Sequence, residues 1–313
     1  MVATALSGFL SDDGEVPEGM IVTAVLPGGC QLNCGFCIVR QRDERGSWES
    51  APPLNFYTDA LRKYAESGTL AGASIIGDEP LQEPVWPYVE QFLDVCTRAG
   101  RPSTLITNGL ELGTFAARLE RYRLTKVVVS LDAIGPAHDR IRGKRGAFEQ
   151  IERGICTVEF ESDLHQRLAI STILRAGHLD DAEAVLQFVA NRGIRAWIVS
   201  PLLDPRPGRP IRIHRTLKAR MPDMLRALGA KARHLGVPMT ASDEFALVDE
   251  IRDIGSLLGF SVKRPNARPS LIRLDAKGRC WTWDQVTNGL VDADAPVWHV
   301  PIKLSPAESA LAG

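Results

Sequence analysis

The sequence predicts an α/β fold: a partial (β/α)6 TIM-type barrel with a C-terminal extension that contains a helix and a β-hairpin. Short apolar runs alternate with amphipathic stretches through the first two thirds of the chain, a pattern that builds a parallel sheet with helices outside it. A segment rich in Pro and Gly, 204–210, then ends the alternation. The distinctive polar residues follow the apolar runs, where the strands of a barrel carry function.

The apolar runs and the residues that break them predict six strands. These strands are Met20–Leu26, Ala73–Ile76, Ser103–Thr107, Lys126–Leu131, Arg167–Leu174 and Ala196–Pro201. Apolar residues at helical spacing predict helices between them. These helices are Leu54–Ser67, Val85–Ala99, Thr114–Arg121, Gly146–Glu161 and Asp180–Arg192.

We expect three regions: an N-terminal segment 1–17, a barrel domain 18–203, and an extension 204–313 that caps the substrate. Within the extension, Leu217–Leu235 has the pattern of an amphipathic helix, and Asp249–Leu258 is a candidate for another. The stretch 270–283 alternates around Lys277-Gly278 and predicts a hairpin.

Composition excludes several classes of protein. The formal net charge is -1 and the pI about 6.6, so no polycationic surface is expected to collect nucleic acid. No apolar stretch approaches the ~20 residues that span a bilayer, and no signal-peptide pattern opens the chain. We therefore expect no membrane partner and a cytoplasmic location, where cysteines stay reduced.

Cys30, Cys34 and Cys37 form the most informative motif, with C-x3-C-x2-C spacing in a loop after the first predicted strand. Three thiolates can hold three irons of a cubane cluster and leave the fourth iron open. A structural zinc site normally needs four ligands, and no second pair follows at the usual spacing. A disulfide framework is typical of short secreted chains, and buried structural thiols usually scatter. The spacing favours an iron–sulfur cluster over these alternatives.

Polar motifs follow the next three predicted strands. They are Gly77-Asp78-Glu79-Pro80, Thr107-Asn108-Gly109 and Ser130-Leu131-Asp132-Ala133, followed by Arg142 in His138-Asp-Arg-Ile-Arg-Gly-Lys144. Each motif alone is equally typical of a turn or a helix cap. Their order along the chain gives a joint signal over roughly the first two hundred residues.

With the cysteine loop, these motifs resemble the radical S-adenosylmethionine superfamily. The resemblance implies one 4Fe-4S cluster, whose open iron is chelated by the amino and carboxylate groups of S-adenosylmethionine. It implies an external one-electron reductant such as flavodoxin or ferredoxin. An electron from the cluster then cleaves the sulfonium to a 5′-deoxyadenosyl radical, which the protein aims at its substrate.

The resemblance also assigns roles to individual residues. Phe36 lies against adenine or covers the cluster, and the backbone of 77–80 holds the cofactor's amino group, although Asp78 stands where the family usually has Gly. Arg142 pairs with the methionyl carboxylate, a task that suits the planar guanidinium fork. The remaining cofactor contacts lie at strand ends: Asn108 lines the cofactor cleft, and Ser130 and Asp132 bond ribose hydroxyls. Contacts with ribose and adenine, largely through backbone groups, are implied for Ser171, Thr172, Ser200 and Pro201.

The predicted hairpin resembles the start of a truncated SPASM or twitch region, an extension that in relatives binds an auxiliary cluster. No cysteine follows Cys280, so we expect a single cluster. Cys280 is then a packed thiol, a hydrogen donor to a substrate radical and thus a catalytic candidate, or a vestige of the lost site. Cys96 and Cys156 lie in predicted helices as core thiols.

The cofactor motifs do not select a reaction. The first hypothesis is hydrogen abstraction from a small polar metabolite, because no peptide-docking domain precedes the barrel. The second is modification of a ribosomally made peptide, which the hairpin favours, and the third is a non-catalytic metal-binding scaffold. Substrate-side candidates near the C-terminus and in the linker are Trp281, Trp283, Trp298, His299, Arg206, Arg209 and Arg212.

Overall fold

The computed structural model describes residues 19–41, 49, 51–123, 125–204, 212–241, 270–278 and 280–282. Several predictions lie outside these residues. They concern the segment 1–17, the helix Asp249–Leu258, Trp283, Trp298, His299, Arg206 and Arg209. The side chains of Trp281 and Arg212 also lie outside the description.

The strands, in chain order, are β1 (Met20–Leu26), β2 (Leu70–Gly77), β3 (Ser103–Thr107), β4 (Thr125–Ser130), β5 (Leu168–Leu174), β6 (Trp197–Pro201), β7 (Leu203–Asp204), β8 (Arg212–Ile213), β9 (Met239–Ala241), β10 (Ser270–Leu274) and β11 (Cys280–Thr282). Nine of them form one sheet in the order β11-β10-β1-β2-β3-β4-β5-β6-β9. All neighbours are parallel except β10 and β11. Strands β7 and β8 form a separate antiparallel pair. Within the described part of the chain, the two end strands of the sheet do not pair, so the barrel is open.

The helices are α1 (Ile38–Gln41), α2 (Leu54–Glu66), α3 (Trp86–Arg98), α4 (Leu112–Leu119), α5 (Pro136–Arg142), α6 (Ala147–Glu161), α7 (Leu179–Asn191), α8 (Arg215–Lys218) and α9 (Met221–His234), with a 3-10 turn at Asp163–Arg167. The predicted α/β fold is confirmed. All six predicted strands and all five predicted barrel helices are present, with ends shifted by three residues or fewer. The helix predicted at Leu217–Leu235 appears as α8 and α9. No helix among the described residues is both long and apolar enough to cross a membrane.

The strands of the barrel are buried on both faces, which explains their nearly continuous apolar runs. One small residue cluster fills the concave side of the sheet, with one member from each of the six barrel strands. These members are Val25, Ile76, Ile106, Val128, Ala169 and Ile198. The alternate residues face the helices and form the larger core. The sheet is thus closed to water below its carboxyl edge, and the site must lie above it.

The C-terminal region adds strands to both edges of this sheet. Strand β10 pairs in parallel with β1, and β9 pairs in parallel with β6. The Tyr57 hydroxyl lies 3.1 Å from the carbonyl oxygen of Val25 and 3.2 Å from that of Asp275, so α2 fixes β10 beside β1. The predicted hairpin is present as β10 and β11. Sequence reasoning did not indicate that it would extend the barrel sheet.

Candidate functional site

A cleft opens at the carboxyl ends of the parallel strands, and the cysteine loop that follows β1 forms one of its walls. The cleft has an empty volume of about 910 Å³, part of it open to solvent. All three cysteines of the motif line it. The other lining residues come from the loop, the strand ends and α5: Leu32, Phe36, Gly77, Asp78, Ile106, Thr107, Asn108, Ser130, Arg142, Ser171, Ile173, Ser200, Pro201, Leu202 and Leu203.

Hydrogen bonds from three parts of the chain hold the cysteine loop. The backbone N–H of Asn33 donates to the carbonyl of Arg142 at 3.0 Å, and the Gln82 amide donates to the carbonyl of Gly29 at 3.0 Å. Arg40 donates to the carbonyl of Cys34 at 3.0 Å and also bonds the side chain of Asn33. The loop is therefore fixed from both sides before any ligand binds.

The three thiols suit an iron–sulfur cluster. Burial raises the pKa of Cys30 to about 11 and also raises that of Cys34, so both favour the thiol until a metal displaces the proton. Among the described residues, no three His, Cys, Asp or Glu side chains are grouped to hold one metal ion. In a cubane each thiolate binds a different iron, so the cysteines need not meet at one point. Soft sulfur donors on a single cleft wall fit this group.

Arg142 lies between the cysteine loop and a buried carboxylate. One guanidinium nitrogen lies 2.8 Å from Asp132, and another lies 3.8 Å from the sulfur of Cys34. The guanidinium also faces the ring of Phe36 at 5.4 Å. Burial opposes its positive charge, but Asp132 and the thiols prevail and raise the pKa of Arg142. A permanent positive charge therefore lines the cleft beside the cysteines.

The predicted contact of Asp132 with ribose is not what the structure shows. The side chain of Asp132 is 0% exposed and does not line the cleft. Its second oxygen accepts the backbone N–H of Ile173 at 2.8 Å. The carboxylate is therefore committed to Arg142 and to β5. Asp132 positions the guanidinium from outside the cleft lining.

His138 holds the backbone of Asp132 and so supports the ion pair between Asp132 and Arg142. Its Nδ1 accepts the backbone N–H of Asp132 at 3.2 Å, so in the neutral ring the proton lies on Nε2. Burial, with the charge of Arg142, lowers the pKa of His138 to about 4. The imidazole is neutral at physiological pH and holds the strand end that carries Asp132.

Glu79 ties the ends of β2 and β3 together. Its carboxylate accepts the Thr107 hydroxyl at 2.5 Å, the Asn108 backbone N–H at 2.6 Å and the Leu81 backbone N–H at 2.9 Å. Burial nevertheless raises its pKa to about 7. Glu79 does not line the cleft, and neither does Pro80. The Glu79 carboxylate therefore braces the turn that carries Asn108.

Gly77 and Asp78 lie where the resemblance expected the cofactor's amino group. Gly77 has φ +134°, and a Cβ there would lie 2.8 Å from the backbone nitrogen of Leu26. Only glycine permits this close approach of β2 to the start of the cysteine loop. Asp78 lines the cleft although it is 8% exposed. Its side chain therefore adds a carboxyl group to this wall.

The serines at the ends of β4, β5 and β6 face the cleft, but Thr172 does not. Ser130, Ser171 and Ser200 belong to the lining. The Thr172 hydroxyl instead donates to the carbonyl of Leu131 at 2.8 Å and accepts from Nε1 of Trp197 at 2.8 Å. Successive residues of a strand face opposite sides, so the Thr172 side chain packs behind the sheet, and only the backbone of Thr172 is left for the expected cofactor contact.

Cys280 is not among the residues that line the cleft. It pairs with Leu274 across the hairpin, and residues directly opposite in an antiparallel pair share a face. Leu274 belongs to the larger core, against which Cys280 also packs. This placement favours the packed thiol over the hydrogen donor among the alternatives for Cys280.

Sequence reasoning missed Gln82 and Arg40, which hold the cysteine loop. Gln82 follows Glu79 by three residues, and Arg40 follows Cys37 by three residues. Arg40 lies in α1, so one helical turn returns its side chain to the cysteine loop, and this spacing was an available signal. Gln82 lies in the irregular segment before α3, where no such signal was available in the sequence. The apolar cleft residues Ile106 and Ile173 lie inside strand runs, where nothing in the sequence separates lining from core.

Comparison with known proteins agrees with this geometry. Residues 25–157 match the family model described as Radical SAM superfamily. A GTP 3′,8-cyclase from Xanthomonas axonopodis pv. citri is 30% identical over 158 residues, which are 49% of this chain and 46% of that protein. One from Heliobacterium modesticaldum is 28% identical over 165 residues, 50% of this chain and 46% of that protein. The chain spans about half the length of these curated relatives.

Solved structures share the fold at low sequence identity. Streptococcus suis SuiB bound to the precursor peptide SuiA has a TM-score of 0.64 at 13% identity, over 95% of this chain and 67% of that one. The enzyme anSMEcpe with bound AdoMet and Cp18Cys peptide has a TM-score of 0.61 at 15% identity, over 86% of this chain and 74% of that one. The matched family model includes the cysteine loop and the ends of β2, β3 and β4. Over residues 25–157 the chain is therefore similar to the Radical SAM superfamily.

Proposed function

We propose that this chain is a radical S-adenosylmethionine enzyme that abstracts hydrogen from a small polar metabolite. One observation carries the proposal: the three cysteines of one loop line the same cleft as the polar ends of β2, β3, β4, β5 and β6. Function in barrels resides at these strand ends. Cys30, Cys34 and Cys37 would hold a 4Fe-4S cluster, and one iron without a protein ligand would accept S-adenosylmethionine.

Arg142 is suited to hold the methionyl carboxylate of that cofactor. It lines the cleft, and Asp132 fixes its guanidinium by an ion pair on one side. Among the described residues its Nε has no hydrogen-bond partner although it is buried. A carboxylate would supply that partner through a charge-assisted bond. The hydroxyls of Ser130 and Ser200 would then meet the ribose and adenine ends.

When bound, the cluster and cofactor would supply a 5′-deoxyadenosyl radical, and the protein would position the substrate against it. Ile106, Ile173 and Leu202 line the same cleft as the serines and give it apolar surface. Apolar surface with placed polar groups is typical of a small-molecule site. The cleft therefore combines polar contacts with apolar surface in the same space as the cysteines.

A small polar substrate is supported by the curated relatives, whose name gives GTP as their substrate. The second candidate, a ribosomally made peptide, is favoured by the β10–β11 hairpin, which resembles the extension of peptide-modifying relatives. Deuterium-labelled substrates separate the two. Label transferred to 5′-deoxyadenosine from a metabolite such as GTP supports the first candidate, whereas label transferred only from a peptide overturns it.

The test of the reaction class is reductive cleavage of S-adenosylmethionine. After anaerobic reconstitution, we expect about four irons and four sulfides per chain. With dithionite as the reductant, the protein should produce 5′-deoxyadenosine. The variant with Cys30, Cys34 and Cys37 all replaced by Ala should lose both the iron and the product. Zinc in place of iron after anaerobic purification would contradict the proposal.

A further inference from the structure

The Asn108 side chain faces the sulfur of one predicted cluster ligand. Its Nδ2 lies 3.5 Å from the Sγ of Cys30. The contact of Asn108 with Glu79 uses the backbone N–H, so it leaves the side-chain amide for other partners. Asn108 also lines the cleft, and only 6% of the residue is exposed.

Two neighbours fix the orientation of this amide. The oxygen Oδ1 accepts the backbone N–H of Leu110 at 2.9 Å. This bond requires an acceptor at that position, so the NH2 group must point the other way. Nδ2 donates one hydrogen to Oε1 of Gln31, which lies 3.1 Å from the nitrogen, and the other hydrogen is available to the sulfur of Cys30.

A donor in this position changes the energy of the cluster's two oxidation states unequally. When the cluster accepts one electron from an external donor, its total charge becomes more negative by one unit, and part of that charge resides on the sulfurs. An N–H donor stabilises the more negative state more strongly. Because Asn108 is buried, little water competes with the bond.

We propose that Asn108 tunes the iron–sulfur cluster: its amide donates a hydrogen bond to the Cys30 thiolate and raises the reduction potential. The inference rests on the proposed function, since it requires a cluster on these cysteines. Asn108 acts through a ligand and is a positioning residue. It makes the cluster easier to reduce without occupying a coordination site.

The test is a potentiometric titration of the reconstituted protein without S-adenosylmethionine, followed by EPR, with dithionite as the reductant. Asn108→Ala removes both the donor and the acceptor of the side chain. In Asn108→Ser the hydroxyl can still accept the N–H of Leu110, but it ends one bond short of Nδ2. We expect both variants to retain the cluster and to shift its potential in the negative direction by similar amounts.

Gln82→Ala is the matched control, because it removes a hydrogen bond to the same loop, at Gly29, without removing a donor to sulfur. Its potential should equal that of the wild type. A wild-type potential in Asn108→Ser, or an equal negative shift in Gln82→Ala, would overturn the inference and indicate that Asn108 only orders the loop. Failure of the wild type to assemble a cluster would instead overturn the proposed function, and this inference with it.

Discussion

The Asp132 carboxylate and the Arg142 guanidinium form an ion pair of 2.8 Å with the carboxylate completely buried. The same guanidinium faces the sulfur of Cys34 at 3.8 Å. One pair therefore joins the end of β4, the end of α5 and the cysteine loop. This relationship gives Asp132 a role that differs from the ribose contact expected from the resemblance.

Asp132→Ala should strongly destabilise the protein, because it leaves Arg142 as an uncompensated buried charge. We expect the free energy of unfolding to fall by about 3–5 kcal/mol. The measurement is urea denaturation of the metal-free protein. Arg62→Ala is the control, since its pair with Asp59 is about half exposed and should contribute about 0–1 kcal/mol. Equal losses in both variants would contradict the role given to the buried pair.

Arg142→Ala should weaken the binding of S-adenosylmethionine without removing iron. The variant loses a charged partner for the carboxylate but no cluster ligand, so we expect affinity to fall about 10-fold to 100-fold. Equilibrium dialysis gives the affinity, and iron analysis of the same sample gives the cluster content. Loss of iron would mean that Arg142 mainly holds the cysteine loop. Arg142→Lys keeps the positive charge but loses the planar fork of the guanidinium. Its affinity for S-adenosylmethionine should therefore lie between those of the wild type and Arg142→Ala.

Glu79 should make stability fall as pH rises. Its pKa is raised from 4.5 to about 7, so the folded protein binds the proton more tightly than the unfolded chain. The linkage therefore favours folding at low pH, and this contribution is lost between pH 4.5 and pH 7, by about 3 kcal/mol in total. His138 opposes this slope in nearly the same pH window, because its pKa is lowered from 6.5 to about 4. The measurement is therefore the difference between two unfolding profiles of the metal-free protein: from pH 4.5 to pH 7, the stability of the wild type relative to Glu79→Gln should fall by about 3 kcal/mol.

The control for that experiment is Glu66→Gln, at an exposed glutamate at the end of α2. It should retain the pH slope of the wild type. If Glu79→Gln also retains that slope, the titration of Glu79 does not contribute to stability as described.

Gly143→Ala should disturb the cysteine loop. Gly143 has φ +68°, and a Cβ there would lie 2.9 Å from the carbonyl oxygen of Asn33. Gly177 has φ +79°, and a Cβ there would have no atom within 4 Å. Gly177→Ala should therefore lower the free energy of unfolding only by the backbone strain, about 1–2 kcal/mol. We expect Gly143→Ala to retain less iron after anaerobic reconstitution than Gly177→Ala. Equal iron contents would show that the loop tolerates the contact.

Cys280→Ala should leave both iron content and 5′-deoxyadenosine production unchanged, because the Cys280 thiol packs against the larger core. Iron close to eight per chain in the wild type and close to four in the variant would contradict the single-cluster expectation. Cys37→Ala, prepared in parallel, should lose the cluster.

Much of the fold could be predicted because the local signals and the tertiary structure agree. The six barrel strands are apolar on both faces, and most of them end at or shortly before Gly, Pro or Asn, so the pattern locates them. The pairing of β10 with β1 could not be predicted in this way. It joins residues about 250 positions apart, and no local pattern in Ser270–Leu274 specifies its neighbour.

The sequence indicated at which edge of the sheet the candidate site lies, but not which side chains face the cleft. Ser200 and Thr172 both lie at strand ends in polar motifs, yet only Ser200 faces the cleft. The face of a strand depends on register, and a shift of one residue reverses it. Asp132 shows a second limit: its partner Arg142 is ten residues away, and only the fold of α5 brings the two charges together.

The central claim is that three cysteine thiolates hold a cluster with one iron open to S-adenosylmethionine. The most direct measurement is the EPR spectrum of the dithionite-reduced, reconstituted protein before and after S-adenosylmethionine is added. Direct ligation of an iron should change the g-values and should depend on the amount of cofactor added. A spectrum that is identical in the presence of excess cofactor would contradict the claim.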